Sequence, residues 1–178
     1  MRHWASPTAL VLLSALTLAC GPQVDGLSPA SVDRGISGAS SFPIAADPSR
    51  VGTYSGRVKS GAGYFYDDVL EYRVWLHPER GARPLAGDRD YFAAFAEYER
   101  AAAFAGSAQG SEEPLVLIRQ REWIDEPSPA QYTVEKTERI AEWRVEWLKG
   151  AKRGPNSIRE FLAHPRPARE GTSPSTRR

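Results

Sequence analysis

The chain is poor in the side chains that build reactive or metal-bound centres: one cysteine, one methionine and three histidines in 178 residues. A lone cysteine makes no internal disulfide, so stability has to come from packing. Zinc sites need clustered thiols or imidazoles, and His77 and His164 stand far apart, so no metal is expected. Asp67-Asp68 and Glu112-Glu113 are adjacent carboxylates without the spacing of a calcium loop. Gly61-Ala62-Gly63 lacks the third glycine of a phosphate cradle and opens no helix. Net charge is also missing: 23 basic residues face 22 acidic ones. That balance removes a global pull on nucleic acid, and no nucleic-acid partner is expected. The longest apolar run, 9–19, falls short of the about 20 residues that a membrane span requires.

What is present begins at the N-terminus. Arg2 and His3 precede the run Ala9–Ala19, which ends in Cys20 and Gly21-Pro22. A basic start, a short apolar core and small residues before a cut are the layout of an export signal. Leu16-Thr17-Leu18-Ala19-Cys20 resembles the signal of bacterial lipoproteins, with its leucine four residues before the cysteine instead of three. The resemblance implies that residues 1–19 are removed and that the Cys20 sulfur carries a diacylglyceryl group. Several buried acyl chains, at about 0.8 kcal/mol per CH₂, hold a protein at a membrane where one chain does not. Cleavage before Cys20 without lipidation gives a secreted protein instead. Gly21 after the cysteine implies delivery to the outer rather than the inner membrane.

Residues 20–50 then read as a flexible tether. Gly, Pro and Ser fill 14 of the 30 positions 21–50, and no apolar period runs through them. The stretch 165–178 is equally unpatterned, with four Arg against one Glu, and reads as a frayed basic tail. The folded domain is expected between them, over 51–164. Val51–Lys59 favours a strand, followed by a turn at 60–63. Leu70, Tyr72, Val74 and Leu76 alternate with Glu71, Arg73 and Trp75, as in a half-buried antiparallel strand. Tyr91, Phe95, Tyr98, Ala102 and Ala105 share one helical stripe, capped by Asp88 or Asp90 and stopped at Gly106. Leu115–Ile118 reads as a central strand. The segment 131–148 reads as extended because Trp143, Val145 and Trp147 alternate, with a bulge or bend near 139–141 to reconcile them with the opposite parity of Tyr132 and Val134. Ile140, Arg144 and Leu148, four apart, also suit a partly helical segment. Ser157 and Glu160 form a capping-box pattern for a short C-terminal helix. The order predicts an α+β fold: one small domain, mainly antiparallel sheet, with one main helix and a short C-terminal helix.

Candidate chemistry is sparse, and no catalytic or cofactor-binding residue is assigned. His77, at a strand end, reads as a surface residue sooner than as a general base, and His164 closes a helix, where a cation suits the dipole. Glu122-Trp123-Ile124-Asp125-Glu126 places carboxylates beside an indole, the pattern from which a carboxylate-dependent envelope hydrolase could be built. It also suits the tip of a connection. Arg73, Trp75, Arg121 and Trp123 share matching parity and form the candidate interaction surface, although Arg and Trp stems also serve to cover a sheet's second face.

Glu112–Pro127, Ala141–Leu148 and the aromatic segment Asp90–Tyr98 resemble a family of small uncharacterised proteobacterial proteins, over most of 64–164. Its members are often labelled GCN5-type acetyltransferases, which implies N-acetyl transfer with acetyl-CoA. That superfamily places Arg or Gln, two residues, Gly, one residue, then Gly or Ala at the pyrophosphate loop. The nearest match, Gln23-Val-Asp-Gly26-Leu-Ser28, ends in serine and lies in the tether, so no acetyl-CoA residue carries over. The sequence therefore predicts a lipid-anchored cell-envelope protein with a non-catalytic binding or structural domain. Its partners are the membrane, through Cys20, and an envelope protein. An acetyltransferase is the alternative.

Overall fold

Residues 68–76 and 139–144 are strand, whereas Val145–Leu148, expected to continue the second of these, is a 3₁₀ turn. The computed structural model describes residues 40–60, 63–85 and 87–166. Their elements run β1 (Lys59–Ser60), β2 (Asp68–Leu76), β3 (Tyr91–Phe95), α1 (Tyr98–Ser107), β4 (Leu115–Gln120), β5 (Trp123–Ser128), β6 (Gln131–Glu135), β7 (Arg139–Arg144) and α2 (Ser157–Ala163). Single 3₁₀ turns lie at Pro48–Arg50, Pro78–Arg80 and Val145–Leu148. Five strands form one sheet in the order β1-β7-β4-β2-β3, and β5 and β6 form a separate ribbon. Among the named strands the pairings are antiparallel except the short β1–β7 contact, and an isolated parallel bridge joins Tyr66 to Lys152. The fold is α+β, as the sequence predicts. Among the described residues, no helix is long and apolar enough to cross a membrane.

The core lies on one face of the sheet. Val69, Tyr72 and Val74 of β2, Val116 and Ile118 of β4, and Ala141 and Trp143 of β7 meet Ala101 of α1 there. A bulge between Val69 and Glu71 disturbs the pairing of β2 with β4. One extra residue reverses parity, so Val69 and Tyr72 face the same side. The 3₁₀ turn after β7 folds Trp147 back to 6.2 Å from the Trp143 ring, edge to face. Gly63 permits this packing: a Cβ there would stand 2.7 Å from Trp143 and 2.8 Å from Gln120.

The second face is not the solvated one expected. Glu71 and Arg73 are fully buried (0 % exposed), and Glu142 of β7 is nearly so. Arg73 Nε is 2.7 Å from Glu71 Oε1, and its Nη1 is 3.7 Å from Glu142 Oε1. Its Nη2 donates to the carbonyl of Ser55 at 2.9 Å. Gly52 N–H donates to Glu71 Oε2 at 2.6 Å, and Trp75 Nε1–H donates to Glu142 Oε1 at 2.8 Å. Phe92 lies under the guanidinium, 4.3 Å away. Residues 51–58, expected as a strand, are instead the irregular cover of this polar layer. Their carbonyls bond a guanidinium rather than a neighbouring strand.

Three further expectations change. Residues 91–95 are strand, because an i, i+4 pair such as Tyr91 and Phe95 fits period two as well as 3.6. Helix α1 starts after Glu97, contains Gly106 and ends at Ala108, so neither Asp88 nor Asp90 caps it. In α2 the Ser157 hydroxyl accepts from Gly154 N–H at 2.8 Å, ahead of the helix, and Asn156 holds the cap position. The last part of the expected tether also belongs to the domain. Ser40 Oγ and Ser41 N–H donate to the Glu99 carboxylate, Phe42 packs 4.7 Å from Tyr98, and Ala45 is buried. Residues 1–39 and 167–178, with Cys20 and most of the basic tail, lie outside the described residues, as does the centre of the expected turn at 61–62.

Arg73→Met leaves two buried carboxylates facing each other without their cation. Removing one member of such a layer costs about 3–5 kcal/mol. Urea denaturation of the variant is expected to show a loss of that size, with the slope of the transition unchanged.

Candidate functional site

The two ends of the sheet carry different chemistry. At the end where Gln120 pairs with Arg139, the start of β7 approaches the ribbon. The Arg139 guanidinium lies 4.0 Å from the Trp123 ring, and Lys59 Nζ lies 5.4 Å from it. Such contacts are each worth about 0.5–2 kcal/mol, more as the cation loses water. Arg139 Nε donates to Gln120 Oε1 at 2.7 Å. Burial pulls the Arg139 pKa below its usual range, against the opposing charge of Asp125. These groups and the 54–58 cover enclose a groove of about 530 Å³. Arg57, Lys59 and Arg139 line it, against Glu138 as the one carboxylate.

Beside the groove lies a smaller cavity of about 240 Å³, between Asp67, Arg121, Glu122, Lys136 and Arg153. Its two carboxylates are both engaged by Arg153. Arg153 is 2.5 Å from Asp67 Oδ2 and 3.0 Å from Glu122 Oε1, and Lys152 Nζ reaches the Asp67 carbonyl. Glu126 accepts from the Tyr64 hydroxyl at 2.6 Å. Burial, then the carboxylate, pushes the Tyr64 pKa well above the tyrosine range, while the same hydrogen bond lowers that of Glu126. Glu122 and Glu126 are thus held in structural contacts, to Arg153 and Tyr64.

At the opposite end, β2 runs into His77-Pro78. His77 is 3 % exposed, not the surface residue expected of a strand end. Its N–H bonds Gly110 O and its carbonyl accepts from Arg80 and Ala82. The register that sets Leu76 opposite Tyr91 carries Asp90 beside His77, and Tyr91 Oη–H holds the incoming loop through the Arg83 carbonyl at 2.7 Å. Asp90 Oδ1 is 3.0 Å and Glu79 Oε1 3.7 Å from His77 Nδ1, and Glu112 Oε1 is 3.0 Å from Nε2. Ligand atoms of His77, Glu79 and Asp90 all lie within 4.8 Å of one another, so these are the described residues able to hold a metal ion. Gly110 makes the approach possible: its φ is +71°, and a Cβ would stand 2.4 Å from Ala82 N.

The four-residue interaction surface is not assembled. Arg73 is buried, and Trp75 packs 5.0 Å from Phe92 and donates to Glu142 beneath the 52–56 cover. Arg121, 67 % exposed in its side chain, sits 3.3 Å from Asp68. Trp123 alone lines the groove, with its ring occupied by Arg139 and Lys59. Of these residues the sequence placed Trp123 beside a ligand surface but gave no sign of Arg139 or Lys59 against it. The His77 group went unseen because its carboxylates come from a turn, a strand start and a loop. The signal was there in His77-Pro78-Glu79 after one strand and Asp90 before the next, once 91–95 is read as strand. Compared with known protein families, curated proteins and solved structures, the chain shows no match.

Asp68, where β2 starts at the groove end, gives that end of the sheet a pH dependence. Burial alone raises its pKa, but the hydrogen bond and charge of Arg119, with Arg121 and Lys152, hold it below the usual carboxylate value. A carboxylate so depressed contributes stability above its unfolded pKa, and that contribution is lost as pH falls through the folded value. Denaturation of the protein and of Asp68→Asn across the acid range is expected to differ at neutral pH and to converge below the folded pKa.

Proposed function

We propose that the chain is a lipid-anchored protein of the bacterial cell envelope, and that its domain binds an anionic partner group in the Arg57–Lys59–Arg139 groove. The observation that carries the binding half is the groove itself. Three cations and one carboxylate line it beside an indole, and its volume falls within the usual range for small-ligand sites. Arg139, half-buried, attracts phosphate or carboxylate more strongly than an exposed cation would, and the exposed Arg57 and Lys59 add their charge. The anchoring half rests on the sequence of residues 1–22, where a short apolar run ends in the chain's one cysteine. Residues 21–39 lie in sequence between Cys20 and Ser40, the first described residue.

Two measurements test the two halves separately. Intact-mass spectrometry of the natural protein is expected to show loss of residues 1–19 and added acyl mass on Cys20, and Cys20→Ser is expected to leave the membrane fraction. A bare thiol, or residue 1 still attached, overturns the anchoring. For the groove, inorganic phosphate is expected to shift the Trp123 indole N–H resonance, and Arg57→Glu with Lys59→Glu to abolish the shift. A shift that persists in this double variant places anion binding elsewhere.

A further inference from the structure

The geometry points to a second site, independent of the groove: we infer that His77, Asp90 and Glu79 bind a divalent transition-metal ion of the zinc or manganese type. The imidazole is the first reason. It is only 3 % exposed, yet neither ring nitrogen has a hydrogen-bond partner in acceptable geometry. Buried polar atoms are nearly always satisfied, so an orphaned pair calls for a partner. Carboxylate oxygens stand close to both nitrogens, but off the line of an N–H bond.

Spacing is the second reason. Bonds of about 2.0–2.2 Å from one ion to nitrogen and oxygen set neighbouring donor atoms about 3.0–3.5 Å apart. Asp90 Oδ1 already stands 3.0 Å from Nδ1. Glu79 Oε1, at 3.7 Å, closes the remainder by a rotation that its exposed side chain (61 %) allows. The separations that fail as hydrogen bonds are those that two ligands of one ion adopt.

The other face of the ring fixes which nitrogen is free. Glu112 Oε1 lies 3.0 Å from Nε2. The negative charge on that side favours the proton at Nε2 and leaves the Nδ1 lone pair for the ion. The ring turn that sets Nδ1 on the ion has also to bring Nε2–H into line with Glu112, as outer carboxylates orient metal-binding histidines. Arg80 Nη1, 3.1 Å from Glu112, balances that charge. Asp90 and Glu79 are then left to match a dication, although Arg80 Nε also lies 3.8 Å from Glu79. One imidazole with two carboxylates suits zinc or manganese better than calcium or magnesium, which prefer oxygen alone. Three protein ligands leave coordination positions for water or a ligand from outside.

Calorimetry of the full chain with Zn²⁺ is expected to show one ion bound per chain. Co²⁺ in its place is expected to give the visible absorption of a nitrogen- and oxygen-bound ion. Asp90→Asn and Glu79→Gln alter exposed side chains and should leave the fold intact; each is expected to weaken binding at least tenfold. Glu112→Gln, acting through the ring, is expected to cost roughly 10–100-fold. If the unaltered chain binds no zinc, the inference fails. It fails equally if binding is untouched by the Asp90 and Glu79 variants, since the ion then sits on other groups such as Cys20 or His164.

Discussion

The Arg73 guanidinium, sealed between the sheet and the 51–58 cover, is the constraint on which the rest of the fold depends. A buried charge is tolerated only when its donors and acceptors are nearly all matched. Here the partners come from four places: Glu71 on the same strand, Glu142 on β7, the carbonyls of Tyr54 and Ser55, and the Phe92 ring. β2 and β7 are not neighbours, because β4 lies between them. The ion layer therefore spans three strands and fixes which side of the sheet the 51–58 segment covers. An apolar layer of equal volume could hold these parts as firmly, but it would specify their relative positions less sharply.

That layer also explains why the two candidate sites lie at opposite ends of the sheet. The cover that closes over Arg73 continues through Arg57 into β1, and so delivers Lys59 to the Trp123 wall of the groove. The same strand, β2, runs the other way into His77. Each site is assembled from strand ends and the loops next to them, while the strand centres supply rigidity. Loops placed by a fixed frame are where binding groups are usually found.

The fold class, the β2 and β4 strands and the C-terminal helix were legible because their patterns are unambiguous over several residues. Leu115–Ile118 is apolar at every position, as suits a strand covered on both faces, and Val116, Leu117 and Ile118 are all fully buried. Legibility failed where one pattern serves two structures. Tyr91 and Phe95 satisfy either period, and the mistaken helix hid Asp90 as a cap when it is a strand-start residue facing His77. It failed again where polar residues are internal. Glu71 and Arg73 look like a solvated face until the cover that buries them is seen, and nothing in residues 51–58 announces that their carbonyls serve an arginine. Trp123 was recognised as important, but its partners Lys59 and Arg139 are 64 residues before it and 16 after it, a separation that only the folded sheet closes.

The sheet order has one more consequence. Its outer strands are β1, two residues long, and β3, the uncharged run Tyr91–Phe95. An apolar edge invites a foreign chain to add itself as the next strand. β3 is bracketed by Arg89 and Asp90 on one side and Glu97 on the other, and charges in those places discourage such growth. At the far border Lys59 puts a charge on β1, which discourages growth there too. Copies held side by side at high density can therefore stay separate molecules instead of knitting into fibres.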